Sequence, residues 1–172
     1  MANIITQTYF STGELTLPLD GFKDGEIDFY ITEHEPIILK KLLGYELYKE
    51  FTTALDGTPA TKWTDLRDGD KEYEYNGITN EYLGIQWIIA DYVFSQIVAD
   101  KLSTVAMSGV KKSQKENALP ANPRYKQQYA LNDLSDRQIT LNRFILSSNE
   151  TDSSTYEDYL PIVQEKVNVF NL

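Results

Sequence analysis

Phe29-Tyr30-Ile31-Thr32-Glu33-His34-Glu35-Pro36-Ile37-Ile38-Leu39-Lys40-Lys41-Leu42-Leu43-Gly44-Tyr45-Glu46-Leu47-Tyr48 is the stretch that decides the fold. Ile27, Tyr30, Ile31 and His34 fall on one helical face, and Ile38, Leu42 and Leu43 continue the apolar character. Pro36 donates no backbone hydrogen bond and disfavours helical geometry at Glu35, which predicts one kinked helix or two short ones. Gly44 is a stop signal, after which Leu47, Tyr48, Phe51 and Leu55 resume helical spacing over Tyr45 to Leu55. The expected unit is helix, break, helix.

Toward the C-terminus, residues 56–80 are rich in Asp, Gly and Thr, with Trp63 and Leu66 as isolated apolar anchors, and read as a long loop. Inside it, Tyr73 and Tyr75 alternate with Glu72 and Glu74, leaving room for a brief strand or hairpin arm. Tyr82 to Val105 is the clearest long helix, about 36 Å if continuous at 1.5 Å per residue. Its polar face is narrow (Gly84, Asp91, Ser95), so it is expected to be central or covered by a partner subunit. Met107 to Pro120 is a polar break. Asn122-Pro123 then reads as an N-cap with proline at the first helical position, opening a last helix to about Leu146 that Asp133 to Asp136 could interrupt.

At the two ends the pattern is different. Ile4 to Phe10 and Leu15 to Leu19 read as extended arms or short strands, with Leu15, Leu17 and Leu19 alternating. Ser147 to Ser154 is poor in apolar residues, and the apolar tail from Tyr156 to Leu172 is of a kind that docks on something. The fold class expected is mainly α: a bundle of about four helices with extended N- and C-terminal arms and one short β-hairpin. Residues 1–172 read as a single helical domain, with an N-terminal arm at 1–24, a helical core at 25–147 and a C-terminal arm at 148–172.

Composition narrows the function classes. The chain of 172 residues is 41% hydrophobic and contains twelve tyrosines, enough for a packed core. It has no cysteine, which removes disulfides, thiolate metal sites and cysteine nucleophiles. With 26 acidic against 16 basic residues the formal net charge is -10, a surface that repels nucleic-acid phosphates but allows DNA to slide past. The opening residues lack the basic and apolar regions of a signal peptide, and Gln86, Asp91, Gln96 and Asp100 disqualify Tyr82 to Val105 as a membrane span, so a soluble cytoplasmic product is expected.

Motifs that carry chemistry are scarce. His34 is the single histidine; its neighbours Glu33 and Glu35 point about 100° to either side on a helix, which makes no metal triad, and His34 reads as a structural helix-face residue. No serine sits in a G-x-S-x-G elbow. The acidic run Asp65, Asp68, Asp70, Glu72, Glu74 does not match a calcium loop and reads as a solvated loop. No glycine-rich phosphate cradle occurs, and Lys111, Lys112 and Lys115 form the one basic cluster, read as solvated. Neither catalytic residues nor a cofactor nor a metal site is expected.

The quoted segment, with its acidic helix running into Leu42-Leu43-Gly44-Tyr45-Glu46-Leu47-Tyr48, resembles the opening of head-tail connector (adaptor) proteins of tailed bacteriophages. The order that follows is also similar: a loop with Trp63 and Leu66, a hydrophobic long helix, a Ser108-Gly109-Val110 break and another long helix. The closing Val167-Asn168-Val169-Phe170-Asn171-Leu172 resembles relatives from phages of Bacteroidetes-type hosts. The resemblance covers most of residues 26–145 by order of features, and its sharpest motif is the Leu-Leu-Gly turn.

It implies a non-catalytic virion protein at the head-tail interface, made in the host bacterial cytoplasm. Such a subunit repeats in a homo-oligomeric ring of about twelve copies, binds the portal protein and tail or other neck proteins, and leaves a channel through which DNA passes without sequence-specific binding. The N-terminal arm before Gly21 and the C-terminal tail depart from the smaller adaptors and read as added contact arms. Residues expected to bind partners are Leu15, Leu17, Leu19, Tyr73, Tyr75, Val167, Val169, Phe170 and Leu172. Two other readings stay open on the residues alone: a non-viral soluble protein-binding module, and a small acidic hydrolase using an Asp/Glu pair.

Overall fold

The computed structural model describes residues 3–18, 21–108 and 123–161. These residues form five α-helices and one antiparallel hairpin: α1 (Glu26–Leu43), α2 (Tyr45–Leu55), α3 (Thr61–Asp68), β1 (Lys71–Tyr75), β2 (Ile78–Tyr82), α4 (Ile85–Ser108) and α5 (Pro123–Thr151). The mainly helical class and the short hairpin agree with the sequence expectation.

Helix α1 carries Glu26 and Asp28 in its first turn and Lys40 and Lys41 in its last, charges that oppose the helix dipole at both ends. Pro36 lies inside it without dividing it, so α1 is one helix rather than two. Thr32, whose carbonyl loses its intrahelical donor to Pro36, is an exposed residue and open to water. Gly44, at φ +74°, ends α1 and starts α2; its N–H donates to the Lys40 carbonyl at 3.1 Å. The expected break falls where the left-handed backbone favours glycine.

Helix α4 is the centre of the molecule. Ile85, Ile88, Ile89, Ala90, Val93, Phe94 and Ile97 are buried, and so are Asp91 and Ser95 on its polar face. α1 and α5 both pack against it, so the chain's own helices cover nearly the whole circumference. Two polar ties join α4 to α1: Tyr30 donates to Asp100 at 2.7 Å and Lys101 pairs with Glu26 at 2.6 Å.

The segment read as a long loop holds a helix. α3 has only Trp63 and Leu66 as buried apolar side chains, three residues apart on one face, and their insertion into the core supplies what its polar sequence lacks. The hairpin pairs Lys71 with Tyr82 and Tyr75 with Ile78 across an Asn76-Gly77 turn with both φ positive, the hand that suits twisted strands. Where α3 ends and α4 begins, backbones touch: a Cβ on Gly69 would lie 2.0 Å from the Gly84 nitrogen, and one on Gly84 would lie 2.6 Å from the Arg67 carbonyl oxygen.

The described parts of both terminal segments pack against the helices. Residues 7–10 form a short 3-10 turn, and no strand forms among the described residues before Glu26. Ile5, Phe10, Leu15 and Leu17 are buried in the common core, so the described part of the segment is integrated with the helices instead of projecting from them. At the other end, α5 continues through Asp133 to Asp136 without interruption and runs past Leu146 to Thr151. Tyr156 then turns back into the core, 5.9 Å from the Trp63 ring, donating its hydroxyl to the Lys62 carbonyl at 2.7 Å. The Asn149 side chain brackets the Tyr156 backbone, accepting from its N–H at 2.9 Å and donating to its carbonyl at 3.0 Å. Tyr159 is buried with its hydroxyl on Asn142.

Candidate functional site

The residues expected to bind partners separate into three groups. Leu15, Leu17 and Tyr73 are buried within the chain, where Tyr73 packs edge-on against Phe144 with ring centres 5.9 Å apart. Tyr75 is half-buried with the Arg143 guanidinium 5.7 Å above its ring. Leu19, Val167, Val169, Phe170 and Leu172 lie outside the described residues, as do Lys111, Lys112 and Lys115.

Large apolar side chains that the core leaves uncovered sit elsewhere. Phe29 and Ile37 are 63% and 43% exposed on α1, and Tyr45 stands at the start of α2. Tyr125 and Tyr129, one turn apart on α5, are 63% and 69% exposed. Helical spacing left Phe29, Ile37 and Tyr45 off the apolar faces that it traced, because single apolar groups on a polar face carry no periodic signal. Tyr129 borders a groove of about 340 Å³ together with Glu14, Leu15, Lys126, Ala130 and Asp133. A wider, open cleft of about 840 Å³ lies between β1 and the C-terminal part of α5, with Lys62, Lys71, Glu72, Glu150 and Asp152 on its walls.

Among the carboxyl groups, Asp91 has the most strongly raised pKa. Fully buried on α4, it accepts a hydrogen bond from Arg137 of α5 at 2.8 Å through one carboxylate oxygen. Loss of hydration, with Asp133 and Glu14 adding like charge, outweighs Arg137 and pushes its pKa up to about 7. Arg137 also lies 5.4 Å from the centre of the Trp87 ring and donates to the Trp87 carbonyl at 3.3 Å. Tyr9 packs edge-on against the other side of this cluster, 5.2 Å from Trp87. The pair ties α4, α5 and the N-terminal segment together.

His34, read as a helix-face residue, is half-buried between Tyr30 and Tyr92, each ring centre 6.0 Å away. Glu35 is buried against the N-terminal segment instead of joining Glu33 and His34. Among the described residues, no group of three or more His, Asp or Glu side chains is placed to hold a metal ion. No helix among them is long and apolar enough to cross a membrane. Protein-family models, curated proteins and solved structures contain no match to this chain.

Proposed function

We propose that this chain is a non-catalytic head-tail connector (adaptor) subunit at the neck of a tailed bacteriophage. It repeats in a ring beneath the portal, meets tail or other neck proteins on its far side and leaves a channel for DNA. The observation that carries the reading is the helix break at Gly44. The Leu42-Leu43-Gly44 motif, on which the resemblance to connector proteins rests, joins α1 and α2 through a left-handed glycine, and the helices flanking it bear the exposed Phe29, Ile37 and Tyr45.

Two further features support it. Uncovered aromatic groups occur on α1 and on α5, helices that meet α4 separately, so one subunit offers two different faces as a ring requires. The formal charge of -10 suits a wall past which DNA slides. As for the hydrolase alternative, Asp91, raised to about 7, is enclosed and held by an arginine, which leaves Asp133 and Glu14 in the groove beside Tyr129 as the pair that it would have to use.

Mass spectrometry of purified particles, with a symmetry-averaged reconstruction of their necks, tests the proposal. The expected result is this chain in a ring between portal and tail. Its absence from particles, or its presence without ring symmetry, overturns the reading; the latter result favours a binding module.

A further inference from the structure

Two surface helix stripes carry complementary patterns at one spacing. Along α1 run Phe29, Glu33, Ile37 and Lys40; along α5 run Tyr125, Lys126, Tyr129 and Asp133. Acid precedes base by seven residues on α1, from Glu33 to Lys40, and base precedes acid by the same seven on α5, from Lys126 to Asp133. Seven residues are two turns, about 10.5 Å on any α-helix, so both charges register at once when the helices lie parallel. In that register Glu33 meets Lys126, Lys40 meets Asp133, and Ile37 faces the groove floored by Leu15 and Ala130 and walled by Tyr129.

Local electrostatics favour the same arrangement. Partial burial raises the Asp133 pKa and the Arg137 charge opposes it, while Glu14 and Asp136 add like charge that an incoming ammonium relieves. Lys40 is exposed, its ammonium 5.2 Å from the centre of the Tyr48 ring. Every copy offers one stripe of each kind, and a heterologous contact between them continues head to tail through successive copies.

We infer that the α1 stripe of one copy docks into the α5 groove of a second copy of this chain. The inference deepens the connector reading and rests on it only in requiring that the chain repeats.

Charge reversal with complementation tests it, read by sedimentation velocity of the full chain over a concentration series. The wild type associates with rising concentration. Lys40→Glu and Asp133→Lys each weaken association by about tenfold or more. An equimolar mixture of the two variants regains it, because each junction of an alternating assembly again pairs opposite charges. Recovery on mixing also establishes that both variants fold; Glu33→Lys with Lys126→Glu is a second, independent pair.

Wild-type association in either single variant overturns the contact. So does failure of both mixtures to recover, or a wild type that stays monomeric throughout. The two readings separate: self-association through these residues by a chain absent from virions keeps the contact and removes the connector assignment. A neck ring unaffected by the reversals does the opposite.

Discussion

Both carboxylate oxygens of Glu35 accept the backbone N–H of Ile4, each at 2.9 Å, and one also accepts the N–H of Ile5 at 3.2 Å. A side chain one residue before the helix proline thus receives the start of the chain and fixes it over α1. Burial raises the Glu35 pKa while these N–H groups lower it, so the carboxylate is held by the segment that it anchors.

Glu35→Ala leaves the Ile4 and Ile5 N–H groups without their acceptor and is expected to cost roughly 2–3 kcal/mol in urea denaturation. Amide exchange at Ile5 and Phe10 should accelerate well before that of α4. Glu35→Gln, which keeps one acceptor oxygen, should fall between the two. Equal protection at Ile5 in all three proteins would contradict the anchoring role.

Gly69 and Gly84 are expected to tolerate no side chain. Each has positive φ and each added methyl meets backbone, so Gly69→Ala and Gly84→Ala should destabilise by about 3 kcal/mol or more. Gly57, whose added Cβ would sit an ordinary 4.0 Å from the Ala54 carbonyl oxygen, is the control and should change by less than about 0.5 kcal/mol as Gly57→Ala. Thermal melts of the three variants decide this.

Asp91 makes stability depend on pH in an unusual direction. Its carboxyl titrates near 3.8 when unfolded and at about 7 when folded, so folding takes up a proton between those values. The stability it contributes is complete below pH 3.8 and is lost as pH rises through about 7. Asp91→Asn should flatten the fall in stability over that interval. Arg137→Leu should cost more at about pH 8 than at about pH 5, because the buried charge then has no counter-ion. Denaturation midpoints for the three proteins at both pH values provide the check.

Tyr156 is the hinge pin of the segment after α5. Tyr156→Phe removes the hydroxyl donated to the Lys62 carbonyl and should cost about 1 kcal/mol. Tyr156→Ala also empties the space between Trp63 and Phe144 and should cost about 3–5 kcal/mol. Limited proteolysis after Thr151 should be rapid in the alanine variant and slow in the phenylalanine one.

Some of this was readable from local pattern. The apolar groups around Ile88, Ile89, Val93 and Ile97 place α4 centrally because a helix with so little polar surface has nowhere else to be. Gly44 marks the α1–α2 break, and the Tyr73–Tyr75 alternation beside Asn76-Gly77 marks the hairpin, each through a short-range backbone preference. α3 was hidden because Thr61, Lys62, Thr64 and Asp65 carry no strong helical signal without the burial of Trp63 and Leu66.

What the sequence by itself determined is therefore the mainly helical class, the central helix and the break at Gly44, all products of periodicity and glycine geometry within a few residues. Only the tertiary structure decided that Leu15, Leu17 and Tyr156 belong to the core, that Asp91 meets Arg137, and that Glu35 meets Ile4. Those partners lie 46 and 31 residues apart in the chain. A buried polar group is stable only where a partner reaches it, and that partner is supplied by packing at long range, which local pattern does not encode.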